Sequence, residues 1–160
     1  MAPITLEPEA VSTPPASCGY DRWSSTAGEP DASGYALLSK FDLVVSHSLN
    51  RVAALEKDWD AQGAYRINPR IIDTARRIAS ALPCQIKTLP DAIPTVVPMR
   101  KGNLQFEWHE GPRTLELEIE NPSTVHYLKF HPEAGIEEED TCPVSDTDTL
   151  AGLILWFVEG

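Results

Sequence analysis

Ionisable side chains recur at every second position in two stretches of this sequence. Glu107 and His109 alternate with Phe106 and Trp108, and Glu116, Glu118 and Glu120 alternate with Leu115, Leu117 and Ile119. His126 follows in the next extended stretch. Alternate residues of a strand project to one face, so these carboxylates and imidazoles converge on one side of a sheet. Their oxygen and nitrogen donors suit a divalent metal or proton transfer. No pair has the spacing of a metal or catalytic motif, and alternating glutamate also keeps an open sheet face soluble. A binding face is therefore the leading expectation, with no metal or cofactor. A metal-dependent hydrolase using His109 and the nearby glutamates is an alternative.

Nucleophilic chemistry has fewer supports. Cys84 and Cys142 are the candidate thiols, with His47, His109, His126 and His131 as candidate bases. None sits in a nucleophile motif, and G-x-S-x-G, P-loop and H-E-x-x-H patterns are missing. Cys84 directly follows Pro83 at a predicted helix end and reads as a small packing residue. An enzyme is accordingly the minority reading, and no catalytic residue is assigned. The three cysteines, Cys18, Cys84 and Cys142, are odd in number and widely spaced, which fits a reducing, cytoplasmic compartment. Met1 to Ala10 carries Glu7 and Glu9 where a signal peptide needs a basic start, and the longest apolar run, Leu153 to Val158, is too short to span a bilayer.

The formal charge of -11 is unevenly distributed. Residues 1–33 carry five acids and one base, 34–90 five acids and eight bases, and 91–160 fourteen acids and four bases. Phosphate binding needs clustered Lys and Arg, so nucleic acid is disfavoured as a partner of the chain as a whole. An acidic face suits a protein with a basic surface. Arg66, Arg70, Arg76 and Arg77 form the one cationic cluster, a secondary basic patch with Tyr65 beside it for stacking.

These residues must be positioned by a scaffold that the periodicities outline. The length of 160 residues suits a single domain, and no internal repeat is seen. Residues 1–33 combine prolines with small residues and acids and read as a flexible acidic tail, with Tyr20 and Trp23 as isolated aromatics. The domain then spans 34–160. Leu38, Phe41, Val45, Leu49, Val52, Leu55 and Trp59 recur at helical steps and predict a helix from Tyr35 to about Trp59. Asn68-Pro69 supplies an N-cap and a first-turn proline for a second helix, with Ile71, Ala75, Ile78, Ala79 and Leu82 buried and Pro83 ending it.

After Pro90 and Pro94 the period changes to strict alternation. Strands are expected at Thr95 to Met99, around Leu104 to His109, around Leu115 to Glu120, and at Thr124 to Phe130. Turns fall at Lys101-Gly102-Asn103, Glu110-Gly111-Pro112 and Asn121-Pro122-Ser123. Residues 133–148 hold Glu137, Glu138, Glu139 and Asp140, whose self-repulsion predicts an acidic, open loop. Asp146 or Asp148 then caps a last helix containing Leu150, Leu153, Ile154 and Phe157. The fold class is α+β: an antiparallel β-meander of about four strands packed against two N-terminal helices and one C-terminal helix.

Within residues 52–130, the segment Trp59-Asp60-Ala61-Gln62-Gly63-Ala64 is followed by Pro94-Thr95-Val96-Val97-Pro98 and by Gly102-Asn103-Leu104-Gln105-Phe106-Glu107-Trp108. This succession resembles a family of small uncharacterised bacterial proteins with a W-D-x-x-G-A turn, a helix and a G-x-x-Q-x-E-W hairpin. The resemblance carries no activity. It implies an accessory role in bacterial or phage defence or toxin-antitoxin systems.

The resulting expectation is a non-catalytic module that binds a basic protein. Its contact residues would be Glu107, His109, Glu116, Glu118, Glu120, Glu137, Glu138, Glu139 and Asp140. An acidic mimic of nucleic acid, inhibiting a nuclease or effector, is a second alternative.

Overall fold

The computed structural model describes residues 39–159, so the stretch 1–33 read as a tail, with Tyr20 and Trp23, lies outside the described residues. The order is α1 (Lys40–Ala53), α2 (Pro69–Ala81), the short α3 (Cys84–Lys87), β1 (Thr95–Pro98), β2 (Leu104–Glu110), β3 (Arg113–Asn121), β4 (Thr124–His131), β5 (Ile136–Pro143) and α4 (Thr147–Glu159). The strands form one antiparallel sheet in the order β1-β2-β3-β4-β5. The architecture is the expected α+β meander with one strand more.

Register partners share a face of the sheet. Leu104, Phe106 and Trp108 stand opposite Ile119, Leu117 and Leu115, and Leu117 stands opposite Tyr127. All of these are buried and pack with Phe41, Val45, Leu49, Ile71, Ala75, Ile78, Leu150, Ile154 and Phe157 of the helices. The core thus lies between one sheet face and the helices α1, α2 and α4. Trp108 is fixed within it by its indole N–H, which donates to the Ala92 carbonyl at 2.9 Å, and its ring meets Phe106 edge-on at 6.3 Å.

The helices begin where their caps require. The Ser39 side chain accepts from the Asp42 N–H, and the Asn68 side chain accepts from the Arg70 N–H with Pro69 in the first turn. Asp146 caps α4 by accepting from the backbone N–H and the hydroxyl of Thr149. Each cap satisfies N–H groups that a helix start leaves without partners.

Two expectations are corrected. The first helix ends at Ala53 and does not reach Trp59. Beyond it, Asp58 accepts from Gly63 N–H, and Asp60 accepts from Gln62 and Ala64 N–H. Such short acidic side chains hold the backbone in a turn in place of helix. Asp58, Ala61 and Gly63 adopt positive φ there, and the indole N–H of Trp59 donates to the Tyr65 carbonyl at 3.1 Å.

The acidic stretch read as an open loop at 133–148 contains β5, paired along its whole length with β4. One of its charges is met across the ladder, where Lys129 Nζ lies 2.8 Å from Glu138, and His126 Nε2 lies 3.2 Å from Glu139. Cys142, opposite Val125, anchors the strand in the core. Pairing with β4, with Lys129 opposite Glu138, holds the acidic run in a strand despite the repulsion visible along the chain.

Candidate functional site: an open acidic sheet face

The three large helices lie on one side of the sheet, and the register assigns the side chains of the opposite side. One row across it runs Thr95, Glu107, Glu116, Leu128, Glu139; the next runs Val97, Gln105, Glu118, His126, Thr141. A third runs His109, Thr114, Phe130, Glu137. Glutamates thus come from three strands, and none of these positions is Lys or Arg.

Local bonds fix several of these carboxylates. Gln105 Nε2 donates to Glu116 at 2.7 Å, and Asn103 Nδ2 donates to Glu118 at 3.3 Å. Gln105 is buried although its position alternates with the core. His109 reaches Glu107 through Nε2 at 3.3 Å and Thr114 through Nδ1 at 3.2 Å. Leu128, half-buried, and Phe130, exposed, form an apolar island between the glutamates of β3 and β5.

The nine predicted contact residues are not all brought together. Glu107, His109, Glu116, Glu118, Glu137 and Glu139 share the open face. Glu120 is exposed at the irregularity where the β3–β4 register shifts. Glu138 and Asp140 belong to the helix side, because their register partners are Lys129 and Tyr127. They are thus set apart from the other six, since a strand sends successive residues to opposite faces. There Glu138 accepts from the Tyr127 hydroxyl at 3.0 Å and from Lys129 Nζ at 2.8 Å. The Lys129 and Tyr127 bonds hold the Glu138 carboxyl below its ordinary value. Burial, then Glu138, push the Tyr127 phenol up to about 12.

Sequence reasoning missed Leu128, Phe130 and Thr141 as members of the open face. Leu128 and Phe130 alternate with Tyr127 and Lys129, so the parity was available within the expected strand.

The remaining candidates are placed elsewhere. Cys142 is buried, and burial followed by Asp146 and Asp140 raises its thiol above the usual range, which suppresses the thiolate needed for attack. Cys84 is exposed at the first residue of α3, contrary to the packing role expected for it, and is disulfide-bonded, so it offers no thiolate for attack. Among the described residues, no group of three or more His, Cys, Asp or Glu side chains is arranged to hold a metal ion.

The arginine cluster is divided. Arg76 bonds Asp73 and Asn50, and Arg77 bonds Thr74 and the Pro122 carbonyl, so these two tie α2 to its surroundings. Arg66 and Arg70 are exposed, near an exposed Tyr65.

Among the described residues no helix is long and apolar enough to cross a membrane. Comparison with family models, with curated proteins and with solved structures finds no match.

Proposed function

We propose that the chain is a non-catalytic protein-binding module whose open sheet face docks a partner with a basic surface. One observation carries this reading: glutamates from β2, β3 and β5 share a face that holds no Lys or Arg and surrounds the apolar island of Leu128 and Phe130. An apolar centre with a charged surround is the usual anatomy of a protein interface, and its uniform sign steers a partner of opposite charge. The same charge repels phosphate backbones, which disfavours nucleic acid at this face.

The biological setting we propose is an accessory or neutralising subunit of a bacterial or phage defence or toxin-antitoxin system. Its support is the W-D-x-x-G-A turn and the G-x-x-Q-x-E-W hairpin. A second reading, an acidic mimic of nucleic acid, draws on the same face, because rows of carboxylates on neighbouring strands offer a ligand for a phosphate-binding channel. Adding duplex DNA in competition separates the two readings: displacement of the module supports mimicry, and unchanged binding supports docking elsewhere on the partner.

The test is capture of the natural partner on immobilised full chain, compared with a Glu107→Lys, Glu118→Lys, Glu139→Lys variant. Loss of capture, steepening with added salt in the native chain, supports the reading. Equal capture by the two chains overturns it.

A further inference from the structure

A second surface lies at the β1 edge of the sheet. The C-terminal part of α1, the 58–64 turn and β1 enclose a groove of about 520 Å³, lined by Arg51, Val52, Leu55, Trp59, Val96 and Pro98 among others. Its walls are mostly apolar. Trp59 is held there by its bond to Tyr65 and by a turn whose backbone is pinned at Asp58 and Asp60. Arg100 locks that turn from outside, pairing with Asp60 at 2.8 Å. Positive φ at Asp58 and Ala61, neither a glycine, is a strained arrangement that needs such reinforcement.

β1 is an edge strand, and its hydrogen-bonding parity can be read from its end. Met99 N–H bonds the Asn103 carbonyl at 3.0 Å. Alternation then directs the backbone groups of Val97 and Thr95 toward β2 and those of Val96 and Pro98 away from it. The free edge therefore offers the Val96 N–H and the carbonyls of Val96 and Pro98. Pro98 lacks an N–H at a position where the ladder does not use one. Prolines at 94 and 98 bracket these groups, so the edge accepts a short segment and cannot template a long strand. On the groove's rim, Arg51 is exposed, and its guanidinium makes no hydrogen bond or ion pair with the described residues.

We propose that this groove and the edge of β1 form a peptide site for a short extended segment of a partner protein, carrying an apolar side chain and a nearby carboxylate. The backbone of the segment pairs with Val96 and Pro98, its apolar side chain enters between Trp59, Leu55 and Val52, and its carboxylate meets Arg51. Edge pairing supplies affinity and the pocket supplies selectivity. The site adjoins the acidic sheet face at Thr95, which lines the groove and is the register partner of Glu107.

The test uses the immobilised full chain and a display library of random linear peptides, with selected peptides measured by fluorescence polarisation. The expected peptides share an apolar position close to Asp or Glu. Arg51→Glu, an exposed substitution, should weaken them about tenfold or more at an unchanged melting temperature. N-methylation of the best peptide at alternate backbone positions should abolish binding in one register and spare it in the other. A Glu118→Lys, Glu139→Lys chain, altered on β3 and β5 away from the groove, should bind the peptide as the native chain does, which separates failure of this site from failure of the acidic face. A library that yields no enriched peptide, peptides indifferent to Arg51→Glu, or equal tolerance of N-methylation in the two registers would overturn the site.

Discussion

Glu107 of β2 stands directly opposite Glu116 of β3 on the open face of the sheet. Like charges at a cross-strand position oppose pairing, and the arrangement is only partly relieved by His109 beside Glu107 and Gln105 beside Glu116. A surface evolved for stability alone would place opposite charges there. Glu107→Lys should therefore stabilise the fold, by roughly 0.2–1 kcal/mol, while weakening partner capture. Chemical denaturation and capture on the same variant read the two effects. A loss of stability would show that the pair is not repulsive in its setting.

Glu138 provides the internal control. It lies in the same acidic run but faces Tyr127 and Lys129 on the helix side. Glu138→Lys should lower the melting temperature by placing its charge beside Lys129 and leave partner capture unchanged in the folded fraction. If capture falls while stability holds, the assignment of faces along β5 is wrong by one residue.

Trp108→Ala should destabilise the chain by about 3–5 kcal/mol, because it removes a buried ring and leaves the Ala92 carbonyl without its donor. Trp108→Phe keeps much of the packing and loses the hydrogen bond, and should cost about 1–3 kcal/mol. Equal costs for the two variants, measured by urea unfolding, would remove the packing argument.

Alkaline unfolding should involve Tyr127. Its phenol is raised from 10.0 to about 12 by burial and then by the Glu138 carboxylate. A group raised in the folded state contributes fully below its unfolded value and loses that contribution as pH climbs between the two, here from 10.0 to about 12. Glu138 has the opposite sign: its carboxyl is lowered, so its contribution is present above the ordinary 4.5 and is lost as pH falls below it. Tyr127→Phe should flatten the alkaline limb of a stability–pH curve. An unchanged limb would mean that the phenol titrates alike in the folded and unfolded chains.

Gly102 and Gly63 both have positive φ, but only Gly102 is crowded: a Cβ there would lie 3.0 Å from the Arg66 carbonyl oxygen, whereas one at Gly63 would meet nothing within 4 Å. Gly102→Ala should cost about 1–3 kcal/mol or more, and Gly63→Ala less. The crowding arises because the β1–β2 turn is bonded to the chain before α2, with Asn68 N–H donating to the Gly102 carbonyl and Tyr65 N–H to that of Arg100.

Much of this scaffold was legible because its signals are local. Asn68-Pro69 marks a helix start through its own cap, and Phe106, Trp108, Leu115 and Leu117 declare their face by alternation. β5 was hidden because its partners are remote: Glu138 and Glu139 repel along the chain, and only the fold brings Lys129 and His126 across from them. The same blindness left Glu138 and Asp140 on the wrong face, since a loop has no parity to assign. The end of α1 was obscured in another way. Leu55 and Trp59 continue its apolar period because they line the groove, while Asp58 and Asp60 take the backbone out of helix. Arg51 sits at a helical position whose proximity to β1 only the fold supplies.

Whether the open carboxylate face is the docking surface is decided by capture of the natural partner on the Glu107→Lys, Glu118→Lys, Glu139→Lys chain at matched folded concentration. Capture should be lost with this variant and retained with Glu138→Lys. Retention by the triple variant, with salt-insensitive binding in the native chain, would contradict it.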